Sequence, residues 1–438
     1  MYAELHCHSN YSFQEGASSV EELLLRAKEL GHRALALTDH DNLCGAMHFA
    51  QVAQTVGMQA ITGAEVTLKD GSHLTLLAET RKGYSNLCNL LSYSHIASDR
   101  RNPRLDLSYL PELAEGLILL TGCRKGPLSS LLASPSPSSK KQREAQETLE
   151  QYLEWFGAQN VFVELQQNLV QGDTHRNRRL TQLARKLGAG VVATNNVHYH
   201  IPERHRLQDA LVAIHHNQSL EETHPERRPS SQFYLKSAEE MLALFQECPE
   251  AIENTVKIAD RCAFDLSKDL NYQFPDYPVP EGFTPQTHLE NLCYQAAVRR
   301  YGSVTEKVAA RLKEEFRLIQ RHNLAGFLLI YYDIIQMGRQ IMIELGLSDA
   351  EIPLEERPPG RGRGSSVAML VGYLIGLSHI DPLEFNLSLD RFLSDDMGSV
   401  PDIDLDFPRN IREELIKRVH EKWGWDHAVL FVCTAYIF

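Results

Sequence analysis

The chain has 438 residues, enough for two or three domains with separate cores, and 43% of them are hydrophobic. A formal net charge of −13 excludes a uniformly basic protein that coats nucleic acid, while leaving room for local cationic stretches beside clustered carboxylates. No apolar run is long enough to cross a bilayer, no secretion signal opens the sequence, and the eight cysteines form no C-x-x-C pair, so the expectation is a cytoplasmic protein with reduced thiols and no membrane segment.

The opening stretch, MYAELHCHSNYSF, sets His6 and His8 two positions apart. If AELHC is a strand, both rings project from one face near its C-terminal end, as a metal pair requires, although two histidines without a ligand fit the spacing too. SSVEELLLRAKELG (18–31) predicts a helix, with Ser18 or Ser19 as N-cap, acidic residues in the first turn, Leu23, Leu24, Ala27 and Leu30 as its apolar positions, and Gly31 at its end. RALALTD reads as a buried strand, GAMHFAQVAQTVG as a helix and QAITGAEVTL as another strand. VFVELQ (161–166), a helix near 175–187 and GVVATNNVHYH (190–200) continue the alternation. Such a pattern predicts a parallel sheet with covering helices, open or closed into a barrel.

In a closed α/β barrel the functional groups sit at the C-terminal ends of strands. Here those ends carry His6 and His8, then Asp39, His40 and Asp41, then Glu65, Cys123, and finally Asn196 and His198. Nearly all are metal-capable, which a chance scatter of histidines would not produce. SPSPSSKKQRE (134–144) reads as an exposed loop, and residues 237–265 as two amphipathic helices separated by Pro249. LNYQFPDYPVPEGFTP (270–285), with four prolines, reads as a connector between domains, and a helical region follows to about 345.

A second constellation lies near the end. In SVPDIDLDFPR (399–409), strand alternation throws Asp402, Asp404 and Asp406 to one face. Carboxylates so placed are costly to hold together unless a divalent cation neutralises them, and Mg²⁺ is the natural guest. Upstream, the Gly-rich turn of GRGRGSS (360–366) leads into an apolar helix and offers backbone N–H groups and a hydroxyl to a phosphate.

GRGRGSS followed by RFL and PDIDLDF resembles the bacterial C-family replicative polymerases, the DNA polymerase III α subunits, and AELHCHSNYSF with ALTDHDNLCG resembles their polymerase and histidinol phosphatase (PHP) domain. LTGC, ATNNVHYH, SQFYLKS and FPDYPVP extend the resemblance over essentially the whole chain, and YHIPERHRLQDALVAI is more similar to the error-prone branch than to the main replicase. The resemblance implies an α/β fold: a distorted PHP (β/α)7-type barrel over 1–270, with a helical C-terminal part, then a partial α+β, nucleotidyltransferase-like palm over 271–438.

It implies a PHP metal cluster on His6, His8, Glu15, His40, Glu65, His95, Cys123, Asn196 and His198, holding Zn²⁺, Mn²⁺ or Fe²⁺. Glu15 stands where aspartate is typical, and Asn196 replaces an aspartate by a neutral, poorer ligand. His73 and Asp39 read as packing or hydrogen-bonding neighbours of the ligands. In the palm, Asp402 and Asp404 would hold Mg²⁺, while Arg361, Arg363, Gly364 and Ser365 would bind the triphosphate. The family's third catalytic aspartate lies further on, so the expectation is a truncated chain that does not extend primers alone. Its partners would be a DNA primer-template and dNTP, with the sliding-clamp-binding region of the family absent. Three readings follow: a DNA-directed DNA polymerase, a PHP domain that is itself a 3′→5′ exonuclease or other phosphoesterase, and a PHP domain that only supports the palm.

Overall fold

The computed structural model describes residues 1–99, 102–134, 136–270, 277–354, 356–389, 393 and 403–424, the side chain of Ser365 excepted. It divides into two compact units, Met1–Asn271 and Tyr272–Phe438.

The first unit is built on one six-stranded sheet, with β1 (Ala34–Leu37), β2 (Gln59–Thr67), β3 (His73–Ala78), β4 (Leu117–Leu120), β5 (Val161–Gln166) and β6 (Gly190–Thr194) in spatial order. β1–β2 and β4–β5–β6 pair in parallel, whereas β3 runs antiparallel to both neighbours. The all-parallel expectation fails there because only residues 68–72 separate β2 from β3, enough for a hairpin but not for a crossover. AELHC is not a regular strand. Instead, Glu4 bridges to Leu35 of β1 and Cys7 bridges to Val197 just past β6, so the N-terminal segment joins the two edges of the sheet.

Side-chain alternation sorts the sheet into two faces. Leu74 and Leu76 of β3, Leu117 and Leu119 of β4, and Val161 and Val163 of β5 pack outward in the main core. Ala34, Ala36, Ile61, Leu77, Ile118, Leu120 and Val192 form a second, apolar cluster on the other face, together with Ala3 and Leu5 of the closing segment. Continuing along that face, β2 reaches Glu65, β5 reaches Glu164 and β6 reaches Thr194, all buried. A dry floor therefore carries a buried polar layer at one end.

Most expected helices form. The stretch 134–144, expected as an exposed loop, instead enters the helix Ser139–Phe156, which Ser138 caps by accepting from the Lys141 amide. Lys140 and Lys141 of its first turn face solvent, and Ala145, Leu149 and Tyr152 supply its buried face. Val20–Glu29 opens with a Ser19–Glu22 capping box and buries Val20, Leu23, Leu24 and Ala27. Asp173–Leu187 runs from Gly172 to Gly188, and Pro249 is the N-cap of Glu250–Arg261.

In the second unit the helices Pro285–Tyr301, Glu306–Arg321 and Ala325–Glu344 enclose a core that includes Leu289, Leu312, Phe316, Leu329 and Leu370. A short antiparallel ribbon, β7 (Arg361–Arg363) with β8 (Asp404–Asp406), pairs Arg361 with Asp406, Gly362 with Leu405 and Arg363 with Asp404. Gly362 is obligatory: a Cβ there would fall on the Leu377 carbonyl. No helix among the described residues is long and apolar enough to cross a membrane.

Candidate metal centre

The polar layer of the first unit gathers ligand atoms around Glu65. Its Oε1 lies 3.4 Å from His6 Nε2 and 3.2 Å from His73 Nδ1, and its Oε2 lies 3.5 Å from His8 Nε2 and 3.1 Å from His40 Nε2. Two groups of three have ligand atoms close enough to share an ion: His6, His8 and Glu65, and His40, Glu65 and His73. Glu15 Oε2 stands 2.9 Å from His40 Nε2, and the His198 ring stacks on His8 at 4.4 Å between centroids. Asn196 Oδ1 is 3.0 Å from His198 Nε2, and Cys123 Sγ is 3.7 Å from His73 Nδ1. Of the nine expected ligands, eight therefore converge. His95 does not: it is exposed, and its Nε2–H donates to the Asp41 carbonyl at 2.7 Å.

His6 Nε2, His8 Nε2, His40 Nε2 and Glu65 Oε1 are buried, yet none makes a hydrogen bond. Polar atoms in this state are costly and rare, and a cation among them would satisfy all four at once. Neighbouring contacts orient the rings. His6 Nδ1–H donates to Glu164 Oε1 at 2.6 Å, which leaves Nε2 as the ligand nitrogen, and His8 Nδ1 is 3.1 Å from Ser12 Oγ. Asp39 accepts from the Ser9 N–H and from the hydroxyls of Ser9 and Ser12, which anchors the loop carrying Glu15.

Electrostatics divide the histidines. Burial opposes charge on His6, but Glu164 and Glu65 outweigh it and lift the pKa to about 10; burial likewise opposes charge on His40, which Glu15 and Glu65 lift to about 9. Burial and the adjacent His198 and His40 push His8 well below the ordinary histidine range, and burial with Arg228 does the same to His198. Although burial penalises its charge, Glu65 is held well below the usual carboxylate range by His73, His40 and His6. The site thus concentrates positive charge on an ionised carboxylate and offers neutral imidazoles beside it. Imidazole nitrogens and carboxylate oxygens suit Zn²⁺, Mn²⁺ or Fe²⁺.

Three residues escaped the sequence reading. His73 reads from the sequence as a packing or hydrogen-bonding neighbour of the ligands, yet β3 is antiparallel, so its first residue arrives where its neighbours end. Glu164 shares a face with Phe162 and Gln166 of β5 and was signalled only by alternation. Arg228, 3.6 Å from Glu15 Oε2 and 3.5 Å from His198 Nδ1, comes from a loop with no periodicity to announce it.

In the second unit the ribbon register sets Arg361, Arg363, Asp404 and Asp406 on one exposed face, and Leu405 packs against the core on the other. Arg363 Nε pairs with Asp406 Oδ2 at 2.8 Å, and Gly364 holds a φ of +72° that favours glycine. Asp402 lies outside the described residues, as does the Ser365 side chain. The apolar helix after the turn, Leu370–Leu374, does not present its first amides to a ligand: those of Leu370 and Val371 donate to Glu315, each at 2.8 Å.

Residues 4–168 match the family model of the PHP domain, and residues 287–437 match that of the bacterial DNA polymerase III alpha NTPase domain. An error-prone DNA polymerase of Symbiobacterium thermophilum is 36% identical over 99% of this chain and 39% of its own length. The DNA polymerase III subunit alpha of Treponema pallidum is 35% identical over 97% of this chain and 36% of its own, and an error-prone DNA polymerase of Mycobacterium tuberculosis is 35% identical over 98% and 38%. The chain thus spans less than two fifths of the length of these relatives. Among solved structures, a metal-dependent phosphoesterase of Bifidobacterium adolescentis aligns over 45% of this chain and 87% of its own at 13% identity, with a TM-score of 0.33. With both family models matched in order and the relatives similar along nearly its whole length, the chain belongs to the bacterial family of DNA polymerase III alpha subunits and error-prone DNA polymerases that carry a PHP domain.

Proposed function

We propose that residues 1–270 form a metal-dependent phosphoesterase acting as a 3′→5′ exonuclease, and that residues 271–438 are the N-terminal part of a polymerase palm. The observation that carries the first reading is the set of buried ligand atoms on His6, His8, His40 and Glu65, which crowd within ion-pair distance of one another and make no hydrogen bond. A divalent transition metal there would supply Lewis acidity toward a phosphodiester and lower the pKa of a bound water. His6, His8, His40, Glu65 and His73 would hold it, with Glu15, Cys123, Asn196 and His198 around them. The chain's own part is to fix this donor set: Glu164 selects the His6 tautomer, and Asp39 holds the loop of Glu15 through Ser9 and Ser12.

In the palm, Asp402 and Asp404 would hold two Mg²⁺ ions, which would supply the charge stabilisation for nucleotidyl transfer from a dNTP to a primer 3′-OH. Arg361, Arg363, Gly364 and Ser365 would bind the triphosphate, a reading supported by the shared exposed face of the arginines and Asp404. DNA primer-template is the expected partner in the cytoplasm.

A second reading, that the PHP domain only supports the palm, is favoured by one contact. Asn196 Oδ1 lies on His198 Nε2, occupying a ligand nitrogen with a neutral amide. Elemental analysis of protein purified without chelator, paired with a nuclease assay on a mismatched primer end, separates the two. The exonuclease reading expects stoichiometric transition metal, a Tm lowered by chelation, and higher metal content and nuclease activity in Asn196→Asp, where an anion is restored beside the cations. Absence of metal, together with unchanged stability in His6→Ala with His8→Ala, establishes the support role instead.

A further inference from the structure

The helix Asp173–Leu187 carries cations on more than one stripe, and their partners differ. Arg176, Arg178 and Arg185 each meet a carboxylate, on Asp173, Glu247 and Glu250, at 3.0, 2.6 and 2.5 Å. Arg179 and Lys186, seven positions apart and so on one stripe, are held by neutral oxygens: the Leu132 and Ser134 carbonyls for the first, and Gln146 Oε1, at 2.7 Å, for the second. A neutral oxygen fixes a cation without cancelling its charge.

That stripe forms one wall of a cleft of about 550 Å³ on the first unit, and the helix Ser139–Phe156 forms the other. Arg143, on the second wall, is exposed and makes neither hydrogen bond nor ion pair among the described residues. No Asp or Glu among the described residues lines the cleft. Leu132 and Leu183 supply an apolar strip between the cations. Gln182, which makes no hydrogen bond among the described residues, offers an amide donor there, and Gln142, whose Nε2–H goes to the Pro137 carbonyl at 2.9 Å, keeps its Oε1 as an acceptor. The volume is that of a site for one small ligand or a few residues of peptide.

The lining chooses among anionic occupants. A nucleic-acid backbone needs positive charge all along its path. Here the exposed Glu147 follows Arg143 by four positions and the exposed Glu150 follows Gln146 by four, so the groove turns negative within one helical turn. A bare polyphosphate would use the cations but leave the leucines and the Gln142 acceptor unmet. A short acidic peptide uses every part: carboxylates against Arg143 and Lys186, an apolar side chain against Leu132 and Leu183, and main-chain groups against Gln142 and Gln182.

We infer that this cleft docks a short acidic segment of a partner protein, with carboxylates on either side of an apolar side chain. None of its lining residues belongs to the candidate metal centre or to the ribbon of the second unit, so the docking is a function separate from both.

Fluorescence polarisation with the 438-residue protein tests this, using a labelled peptide EELDLDE and its neutral counterpart QQLNLNQ as probes. The acidic peptide should bind and the neutral one should not. Arg143→Glu with Lys186→Glu should weaken binding by about tenfold, and raising NaCl from about 0.05 to about 0.5 M should do the same. Arg178→Gln should leave binding unchanged, since Glu247 already answers that charge. Arg143 and Lys186 are exposed, and circular-dichroism melts verify that the variants fold. If the double Glu variant melts early, Arg143→Gln with Lys186→Gln takes its place, with a loss of about fivefold expected. No binding of the acidic peptide, equal binding of the neutral one, or variants at Arg143 and Lys186 that bind as wild type does overturns the inference. So does displacement of the peptide by pyrophosphate or a single-stranded oligonucleotide at lower concentration than by unlabelled peptide, which assigns the cleft to a phosphate ligand instead.

Discussion

Replacing Glu315 by alanine tests how the second unit holds its Gly-rich turn. Glu315 is fully buried, and its carboxylate accepts from Arg311 Nε at 2.7 Å and from the amides of Leu370 and Val371 at 2.8 Å each. These amides open the Leu370–Leu374 helix, where no preceding turn can satisfy them. In Glu315→Ala both amides lose their acceptor, at about 1–3 kcal/mol for each buried donor left unmade. Arg311 retains the Ala368 and Leu387 carbonyls through Nη2, so its own loss is smaller. Burial pushes the Glu315 carboxyl up, and removing that desolvated charge returns part of the cost. The net expectation is a destabilisation of about 3–4 kcal/mol, a large share of the about 5–15 kcal/mol that holds a typical domain together. Glu315→Gln keeps the shape and one acceptor and should lose about half as much. Urea unfolding followed by circular dichroism measures both. A Glu315→Ala protein within about 1 kcal/mol of wild type refutes the reasoning, since a surface carboxylate would behave that way.

Two further outcomes are expected. Glu164→Gln removes the anion that takes the His6 Nδ1 proton, so metal affinity should fall by about 10–100-fold while the secondary structure is kept; titration with Zn²⁺ against a competing chelator reads this, and an unchanged affinity refutes it. His32, buried with its Nε2–H on the Lys236 carbonyl, has its pKa pushed down by burial to about 4. Because the folded value lies below the unfolded one, its contribution is complete above pH 6.5 and is lost as the pH falls toward 4, at about 3 kcal/mol in all. Urea midpoints measured from pH 7 to 4 should therefore drop less steeply in His32→Gln than in wild type, and parallel curves would exclude the assignment.

Much of the candidate centre was legible because residue type and strand position coincide at His40 and His198, which follow the apolar strands β1 and β6, and at Glu65 near the end of β2. His6 and His8 were legible through their i, i+2 spacing, although their segment is held to the sheet by isolated bridges rather than as a strand. His73 was legible as a histidine but not as a ligand candidate, since the direction of β3 depends on the length of the preceding turn rather than on its own residues. His95 failed for the converse reason. It lies on a helix, and its ring is directed to a backbone carbonyl that no local pattern reveals. The Gly-rich turn was read as a helix-start anion site, but the amides that would make it one are held by Glu315, which lies more than fifty residues earlier on a different helix. Pairings across such separations leave no periodic trace.

The closing segment of the first unit also has a bearing on the order of folding. His8 donates its amide proton to Val197, and Val197 in turn donates to His6, so the two histidines are fixed by a residue translated almost two hundred positions later. Contacts of such separation carry a large loop-closure cost and form late. On the ribosome, residues 1–8 emerge well before β6 and must wait for it to leave the exit tunnel before these bonds can form. The histidine cluster is therefore completed only after β6 has been made, and any metal it takes up before then meets only part of the donor set.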